Sequence, residues 1–381
     1  MKKIRKLLKI SAALTASALL TGCVPHTELN EKAIVMAIGI DYEEEKFNIT
    51  FQYYNPTGLG GRTLVDNSQP NVLTAKGTGE NVYGALEDAS FRCGRELMLG
   101  VTQIIVIGED AAKYSVDRVI DFTKSFFQSH PDMLITVAEG KACDLMQVKF
   151  SEGTVSTQKL KFMLTNAEKS GIVSLPSALD LFIALQTKQK SACLPRLRLI
   201  DDGKSDASQD GKTIEIAGGV LIKDGKAVDE TDIEVMSGLE ILCCITQTGT
   251  VTVDYNEEKI SVGLVDIKTK IKPSMENERL VLDVNLTSAG RYLIDPYGSY
   301  VDNDNKEIEK LCGEQLISRM EKAIKETVLK HGTDVFILEK TIRHYDYKLW
   351  KSIEDDFEEY LKNAEFRIDT SIDIDKLILT K

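Results

Sequence analysis

The sequence predicts a multidomain fold of the α/β and α+β classes, in which mixed sheets are flanked by helices. Strand and helix patterns alternate over the first 200 residues, and residues 201–212 then form a charged segment with no large apolar side chain. Beyond it, antiparallel strand patterns accompany a long amphipathic helix pattern in the C-terminal half. A chain of 381 residues has room for two or three domains of roughly 150 residues.

Hydrophobic periodicity defines the elements of the first half. An apolar run, a charged turn and an alternating segment predict a β-hairpin that ends at Asn55-Pro56. The elements expected are strands over 33–41 and 47–54, a helix over 80–97, a strand over 101–107, a helix over 115–127, a strand over 134–138, a short helix after Gly140, helices over 156–170 and 177–188, and a strand over 194–200.

The second half is predicted to be α+β. The elements expected are a hairpin over 214–222 and 226–228 that turns at Asp224-Gly225, a helix over 232–244, strands near 259–272 and 279–287, an amphipathic helix over 305–330 that stops at Gly332, a helix over 347–363 with the only tryptophan, Trp350, and a closing strand over 366–374. The expected divisions are a signal segment over 1–22, an α/β region over 23–200, a linker over 201–212 and an α+β domain over 213–381.

Charge excludes some classes of function. The chain has 47 Lys and Arg against 59 Asp and Glu, a net charge of −12. Five of the bases lie in the first 22 residues, and without them the balance is 42 bases against 59 acids, or −17. Such a field argues against a nucleic-acid-binding surface and against a body that holds anionic lipid through its overall charge. No apolar run long enough to span a bilayer follows the N-terminal segment.

The first residues have the pattern of a lipoprotein signal peptide. A basic region over 1–9 precedes an uncharged apolar core over 10–20, which is too short to span a membrane. Leu20-Thr21-Gly22-Cys23 follows directly. The sequence therefore predicts cleavage after Gly22 and acylation of Cys23 with diacylglyceryl and palmitate-type chains. Two or more such chains would anchor the protein stably to a membrane. The alternative is a chance cysteine beside an ordinary cleavage site.

The remaining six cysteines give no zinc or disulfide pattern, because their spacing is irregular and no histidine lies nearby. Cys93 and Cys312 fall on apolar helix stripes, where cysteine is ordinarily a core residue. The role of Cys243 and Cys244 is open, since helix neighbours point about 100° apart.

Catalytic motifs are missing from the sequence. Gly77-Thr78-Gly79 lacks the remainder of a dinucleotide or P-loop pattern and is expected to be a turn with open backbone angles. The four histidines are scattered, and the acidic residues of 354–359 are expected to form a solvated helix face. No enzymatic activity, no cofactor and no metal are predicted. Carboxylate pairs distant in sequence stay open as acid–base candidates.

The ordered motifs resemble the Ger(x)C family, the C-subunit lipoproteins of spore nutrient germinant receptors. The matching residues are the lipobox, Glu28–Asn30, Ala37–Asp41, Asn55-Pro56, Gly77–Gly79, Ile104–Glu109 with Ala112, Gly140, Ala142, Gly219-Val220 with Lys223, Gly332–Phe336 and Trp350. Two departures are Val24–Thr27, where the family often has Trp-Asp, and Ile337, where it commonly has glycine.

The resemblance implies a non-enzymatic subunit at the outer face of the inner spore membrane, held there by Cys23. Its partners would be an integral A-type receptor subunit and a transporter-like B-type subunit, with no nucleic acid. The resemblance implies a fold of several α/β domains, which leaves open a further division near residue 150. The alternatives are a solute-binding lipoprotein of a membrane transporter and, with no motif in its favour, a surface-anchored cell-wall hydrolase.

Overall fold

The protein is described by a computed structural model covering residue 4 and residues 31–54, 72–125, 132–148, 156–201, 211–243, 248–293 and 305–374. Within these residues the strands form two sheets, one of nine strands and one of four. The signal segment, Cys23, the Asn55-Pro56 pair, residue 150, Cys244 and most of the predicted linker lie outside the described residues.

The large sheet is mixed. Its strands are β1 (Lys32–Glu43), β2 (Lys46–Tyr54), β3 (Val72–Gly79), β4 (Glu96–Met98), β5 (Ile104–Ile107), β6 (Leu134–Ala138), β7 (Ala192–Asp201), β8 (Lys212–Lys223) and β9 (Lys226–Thr231). They are ordered β3-β2-β1-β5-β6-β7-β8-β9, with β4 also paired to β1. The central strands β1, β5, β6 and β7 run parallel, whereas the hairpin strands at both edges pair antiparallel.

Helices cover both faces of this sheet. They are α1 (Val82–Cys93), α2 (Glu109–Ser125), α3 (Ala142–Met146), α4 (Ser156–Lys169) and α5 (Ala178–Ala184). Helices α1, α2 and α5 share a core with one face, and α3 and α4 share a core with the other. All four residues of β5 are fully buried, as its continuous apolar run predicts for a strand covered on both sides.

The small sheet has helices on one face. Strands β10 (Thr248–Tyr255), β11 (Glu258–Glu276), β12 (Arg279–Tyr292) and β13 (Glu365–Ile374) lie in that order. The accompanying helices are α6 (Ile233–Cys243), α7 (Asn305–Ile324), which continues as a π-helix over Lys325–Leu329, α8 (Leu338–Tyr345), α9 (Tyr347–Ile353) and α10 (Phe357–Lys362). Their shared core contains Trp350, Cys312 and residues of α7.

The predicted class of mixed sheets with flanking helices and a long C-terminal amphipathic helix is confirmed. The predicted helix over 347–363 is wrong, because α9 and α10 are separate helices. Strands β3, β4 and β10 and helix α8 were not predicted, although Val251 and Val253 alternate with exposed threonines along β10. Helix α2 begins at Glu109, and its break at Ser115 lies where the sequence predicts the helix to start.

The large sheet continues on both sides of the predicted linker, because Asp201 at the end of β7 pairs with Lys212 at the start of β8. Residues 202–210 between them lie outside the described part of the chain. The division into regions 23–200 and 213–381 stays a prediction.

Gly77 and Gly79 lie in β3 and not in the open turn expected from the sequence. Both have ordinary negative φ angles, and what demands glycine is the close approach of α1. A Cβ at Gly77 would lie 2.2 Å from the carbonyl oxygen of Ala85 and 2.4 Å from the Ala89 nitrogen. Helix backbone cannot yield as a flexible side chain can, so these positions fix the distance between α1 and the sheet.

We expect Gly77→Ala to lower the free energy of unfolding by about 1–3 kcal/mol or more, because α1 must move off β3. Gly84→Ala is the matched control, since the nearest atom to a Cβ there is the Asn81 side-chain oxygen at 3.5 Å. Alanine at this half-buried helical position has room for its Cβ and should be neutral or stabilising by up to about 1 kcal/mol. Urea unfolding followed by circular dichroism compares the two, and equal effects would contradict the packing argument.

Candidate functional site at the carboxyl ends of the parallel strands

The motif residues of the first half meet at one edge of the large sheet. Asp41 lies near the end of β1, and Glu109 and Gly140 lie two residues beyond β5 and β6 respectively. Helix α2, which follows β5, packs on one face, whereas α3 and α4, the first two helices after β6, pack on the other. In open α/β sheets this divergence creates a crevice at the carboxyl ends of the strands, where ligands bind.

The Asp41 carboxylate fills the position at which an anion would meet α3. Its Oδ1 accepts a hydrogen bond from the Ala142 nitrogen at 2.7 Å, and its Oδ2 accepts one from the Cys143 nitrogen at 3.0 Å. Burial raises the pKa of Asp41, against the lowering effect of these two donors. A Cβ at Gly108 would lie 2.1 Å from Oδ1, so glycine is required beside the carboxylate.

Glu109 closes the crevice between β5 and β6. Its backbone nitrogen donates to the Gly140 carbonyl at 2.8 Å, and its Oε2 accepts from the Gly140 nitrogen at 2.9 Å. The Lys113 ammonium donates to Oε1 at 2.5 Å. Lys113 and the Gly140 N–H together lower the pKa of Glu109, which therefore stays ionised and keeps both contacts at neutral pH.

A cavity of about 350 Å³ lies beside Glu109, between α2 and β9. Small aliphatic side chains such as Val137 and Val220 line part of it. Arg196 crosses it with its side chain 14% exposed, and its guanidinium contacts Glu230 and lies 3.3 Å from Glu139. Because Lys113 and Arg196, the cations of this lining, are both paired with carboxylates, the cavity offers no spare positive charge to a phosphate or a carboxylate.

The motif residues of the second half meet at a second cluster. Lys223, at the end of β8, donates to the His331 carbonyl at 2.8 Å and to Glu358 Oε1 at 2.6 Å. This side chain therefore ties the large sheet to the C-terminal helices. Lys223 and Lys362 lower the pKa of Glu358, so the carboxylate remains ionised between the two ammonium groups.

Asp334 is the N-terminal anchor of α8. Its oxygens accept from the Leu338 nitrogen at 2.5 Å and the Glu339 nitrogen at 2.8 Å. Complete burial raises its pKa to about 6 despite these donors. A short helix is marginal alone, and the two capping bonds explain why eight residues here are helical.

The described cysteines form no disulfide, and the half-buried Cys143 sulfur accepts from the Lys76 ammonium at 3.0 Å. Burial raises the pKa of Cys193 to about 12 and that of Cys312 to about 11, so both stay protonated and are poor nucleophiles. Cys312 lies in the core, and Cys93 packs against one. Cys243 weakly contacts the Val335 carbonyl at 3.8 Å, whereas Cys244 lies outside the described residues.

The acidic run after α9 is engaged in ion pairs with its surroundings. Lys351 lies 2.8 Å from Glu354, and Lys188 lies 3.5 Å from Asp355. No group of three or more His, Cys, Asp or Glu in the described part of the chain could hold a metal ion. None of the helices described is long and apolar enough to cross a bilayer.

Sequence reasoning named Asp41, Glu109 and Gly140 only as parts of a resemblance and did not join them into a site. A usable signal was present, since each residue lies at or just beyond the end of an apolar strand, and carboxyl ends of parallel strands share one edge. The predicted site residue, Cys23, lies outside the described residues, as does Gly22. Its acylation stays a prediction.

The comparisons with known proteins agree over nearly the whole chain. Residues 25–199 match the model of the spore germination protein N-terminal domain, and residues 217–377 match the spore germination B3/GerAC-like C-terminal domain. In Bacillus subtilis (strain 168), spore germination protein KC is 24% identical over 94% of this chain and 92% of its own length. Spore germination protein B3 of the same organism is 20% identical over 93% and 94%.

A solved structure shares the fold. The crystal structure of the GerBC protein superposes with a TM-score of 0.57 at 16% identity, and it covers 88% of this chain and 96% of that chain.

We expect the stability contributed by Asp334 to depend on pH. The pKa of the Asp334 carboxyl is about 6 in the folded protein and roughly 3.9 in the unfolded chain. The protonated carboxyl therefore stabilises the folded protein fully below the unfolded pKa, and this stabilisation is lost as the pH rises through the folded pKa. The stability difference between the protein and Asp334→Asn should therefore be larger near pH 4 than near pH 7. Urea unfolding at both pH values measures it, and a constant difference would refute the raised pKa.

Ile337 occupies a left-handed backbone conformation, with φ 57° and ψ 42°, immediately before α8. This geometry costs an L-residue about 1–2 kcal/mol and costs glycine almost nothing, so the glycine that the resemblance leads us to expect here would be the unstrained residue. We expect Ile337→Gly to raise the free energy of unfolding by up to about 1 kcal/mol in thermal or urea unfolding.

Gly332→Ala is the opposing control for that measurement. Gly332 also has a positive φ of 68°, but a Cβ there would lie 2.5 Å from Glu358 Cγ, so this variant should be less stable. A loss of stability in Ile337→Gly would show that the side chain's packing outweighs the backbone strain.

Proposed function

The chain belongs to the Ger(x)C family of spore germination proteins, and from this premise we propose that it is a lipid-anchored, non-catalytic subunit of a nutrient germinant receptor. It would be needed for nutrient-triggered germination through assembly with integral membrane subunits. The observation that carries the proposal is the ordered match of two family domains across residues 25–377.

The anchor proposed is the acylated Cys23. The family match begins at residue 25, just after the lipobox that ends in this cysteine. A body held by two or more acyl chains needs no spanning helix to remain at a membrane. The location proposed is the outer face of the inner spore membrane.

The geometry at the carboxyl ends of the parallel strands supports a non-catalytic role. The Asp41 and Glu109 carboxylates accept hydrogen bonds from backbone amides of α3 and of Gly140 beyond β6. They therefore stabilise the fold at the carboxyl ends of the strands, where a ligand would ordinarily bind. The Ger(x)C family is likewise not a known family of enzymes. The folded surface of the protein, and not a reaction centre, would then be its working part.

The partners proposed are an A-type integral subunit and a transporter-like B-type subunit. Attachment to the same membrane raises the effective concentration of this body beside them, and weak surface contacts can then suffice for assembly. Lys223 is important to such a role, because it keeps the large sheet and the C-terminal helices in one arrangement that a partner can recognise.

A solute-binding lipoprotein of a transporter is the second candidate. The cavity beside Glu109, at about 350 Å³, is within the usual size range of small-molecule sites. Against it stands the difference between the sheets, since one is a mixed sheet of nine strands with helices on both faces and the other has four strands, whereas such proteins normally have two similar lobes. Calorimetric binding of an amino acid or sugar by the purified protein would favour this alternative.

We expect Cys23→Ala to abolish membrane retention and recovery of receptor subunits in a pull-down from the inner spore membrane. Mass spectrometry of the captured chains is the measurement. Cys143→Ala is the matched control, because it removes a thiol of the folded body and leaves the lipobox intact. The control should recover a multi-pass subunit and a transporter-like subunit as the unchanged protein does.

Two outcomes would contradict the proposal. Recovery of an ATP-binding cassette permease in place of these chains would favour the solute-binding alternative. Full membrane retention and partner recovery by Cys23→Ala would show that the cysteine is not the anchor.

A further inference from the structure

One corner of this acidic protein is basic. Residues 340–351, which span most of α8 and α9 and are termed here the basic corner, contain four Lys or Arg residues and a single Asp, together with His344. The chain as a whole has a net charge of −12. The corner is therefore a local reversal of the field that the composition predicts, and the argument from overall charge against lipid binding does not apply to it.

The basic side chains of the corner are available at the surface. Lys340, His344 and Lys348 are exposed and have no acidic partner among the residues that the structure describes. The carboxylate of Asp346 is occupied in capping α9, where it accepts from the backbone nitrogens of Lys348 at 2.9 Å and Leu349 at 3.0 Å. Arg343 and Lys351 are paired with Glu339 at 3.7 Å and Glu354 at 2.8 Å. Among the described residues, the unpaired positive charge of the corner therefore lies on Lys340 and Lys348.

Two tyrosines accompany these bases. Tyr345 and Tyr347 are 54% and 56% exposed, and the Lys351 ammonium lies 5.8 Å from the centroid of the Tyr347 ring. The buried side chains of Ile342 and Trp350 hold the two helices on the core, so the tyrosines and lysines are presented on a rigid support. Exposed tyrosines beside lysines are typical of the boundary between water and lipid headgroups.

We propose that the basic corner docks onto anionic phospholipid headgroups. The inference rests on the proposed function only for the claim that a membrane lies within reach of the body. The exposed ammonium groups complement the phosphates, and the two phenol rings fit the headgroup layer. The complementary charge of an acidic protein would fit the lysines too, but the adjacent tyrosines favour lipid, and the experiment separates the two.

The experiment is chemical footprinting of lysines in the full acylated protein, reconstituted into vesicles of phosphatidylcholine alone or with about one third phosphatidylglycerol. An amine-reactive reagent and mass spectrometry give the rate of modification at each lysine. We expect the rates at Lys340 and Lys348 to fall about fivefold on anionic vesicles and to recover in high salt. Lys268 and Lys270 on β11, which are exposed, should not change.

Paired variants test the aromatic part. Tyr345→Ser with Tyr347→Ser should reduce the protection of both corner lysines, whereas Tyr83→Ser on α1, where the ring is 55% exposed, should leave it unchanged. Equal slowing at all four lysines, no slowing, or slowing that requires the receptor partners would each overturn the proposal. Co-flotation of the protein with phosphatidylcholine vesicles tests the acyl anchor separately. If co-flotation is lost, the rates of lysine modification on anionic vesicles still test the basic corner.

Discussion

The arrangement of the large sheet depends on two carboxylates that hold backbone amides where its parallel strands end. Asp41 fixes the first turn of α3 to the end of β1, and Glu109 joins the start of α2 to Gly140 beyond β6. Helices that leave neighbouring strands for opposite faces would otherwise open a crevice there. The same contacts that determine the direction of these helices also occupy the position where this class of fold ordinarily binds its ligand.

Sequence patterning was sufficient where burial alone decides the structure. The four-residue strand β5 is apolar throughout and buried on both faces, and the N-terminal hairpin follows from its alternation. Patterning failed where a contact between two elements decides, since the glycines of β3 are required by the close approach of α1. Helix α8 was missed although its cap is local, because the Asp334 carboxylate accepts from the Leu338 nitrogen only four residues later.

The candidate site could be predicted only in part from the sequence, for the same reason. Its residues could be named singly from the resemblance, but the pairing of Asp41 with α3 joins positions 101 residues apart. Net charge has a similar limitation, since a total of −12 does not show how the charges are distributed over the surface. An acidic body with one basic, tyrosine-bearing corner would have a preferred orientation at an anionic membrane, which a uniformly acidic body would lack.

If this chain is a required receptor subunit, germination must fail without it. Spores that lack the gene are exposed to a panel of nutrients, and their loss of optical density is followed with and without the restored gene. The response to at least one nutrient should disappear and return with the intact gene. Spores that lack the chain and still respond normally to every nutrient would contradict it.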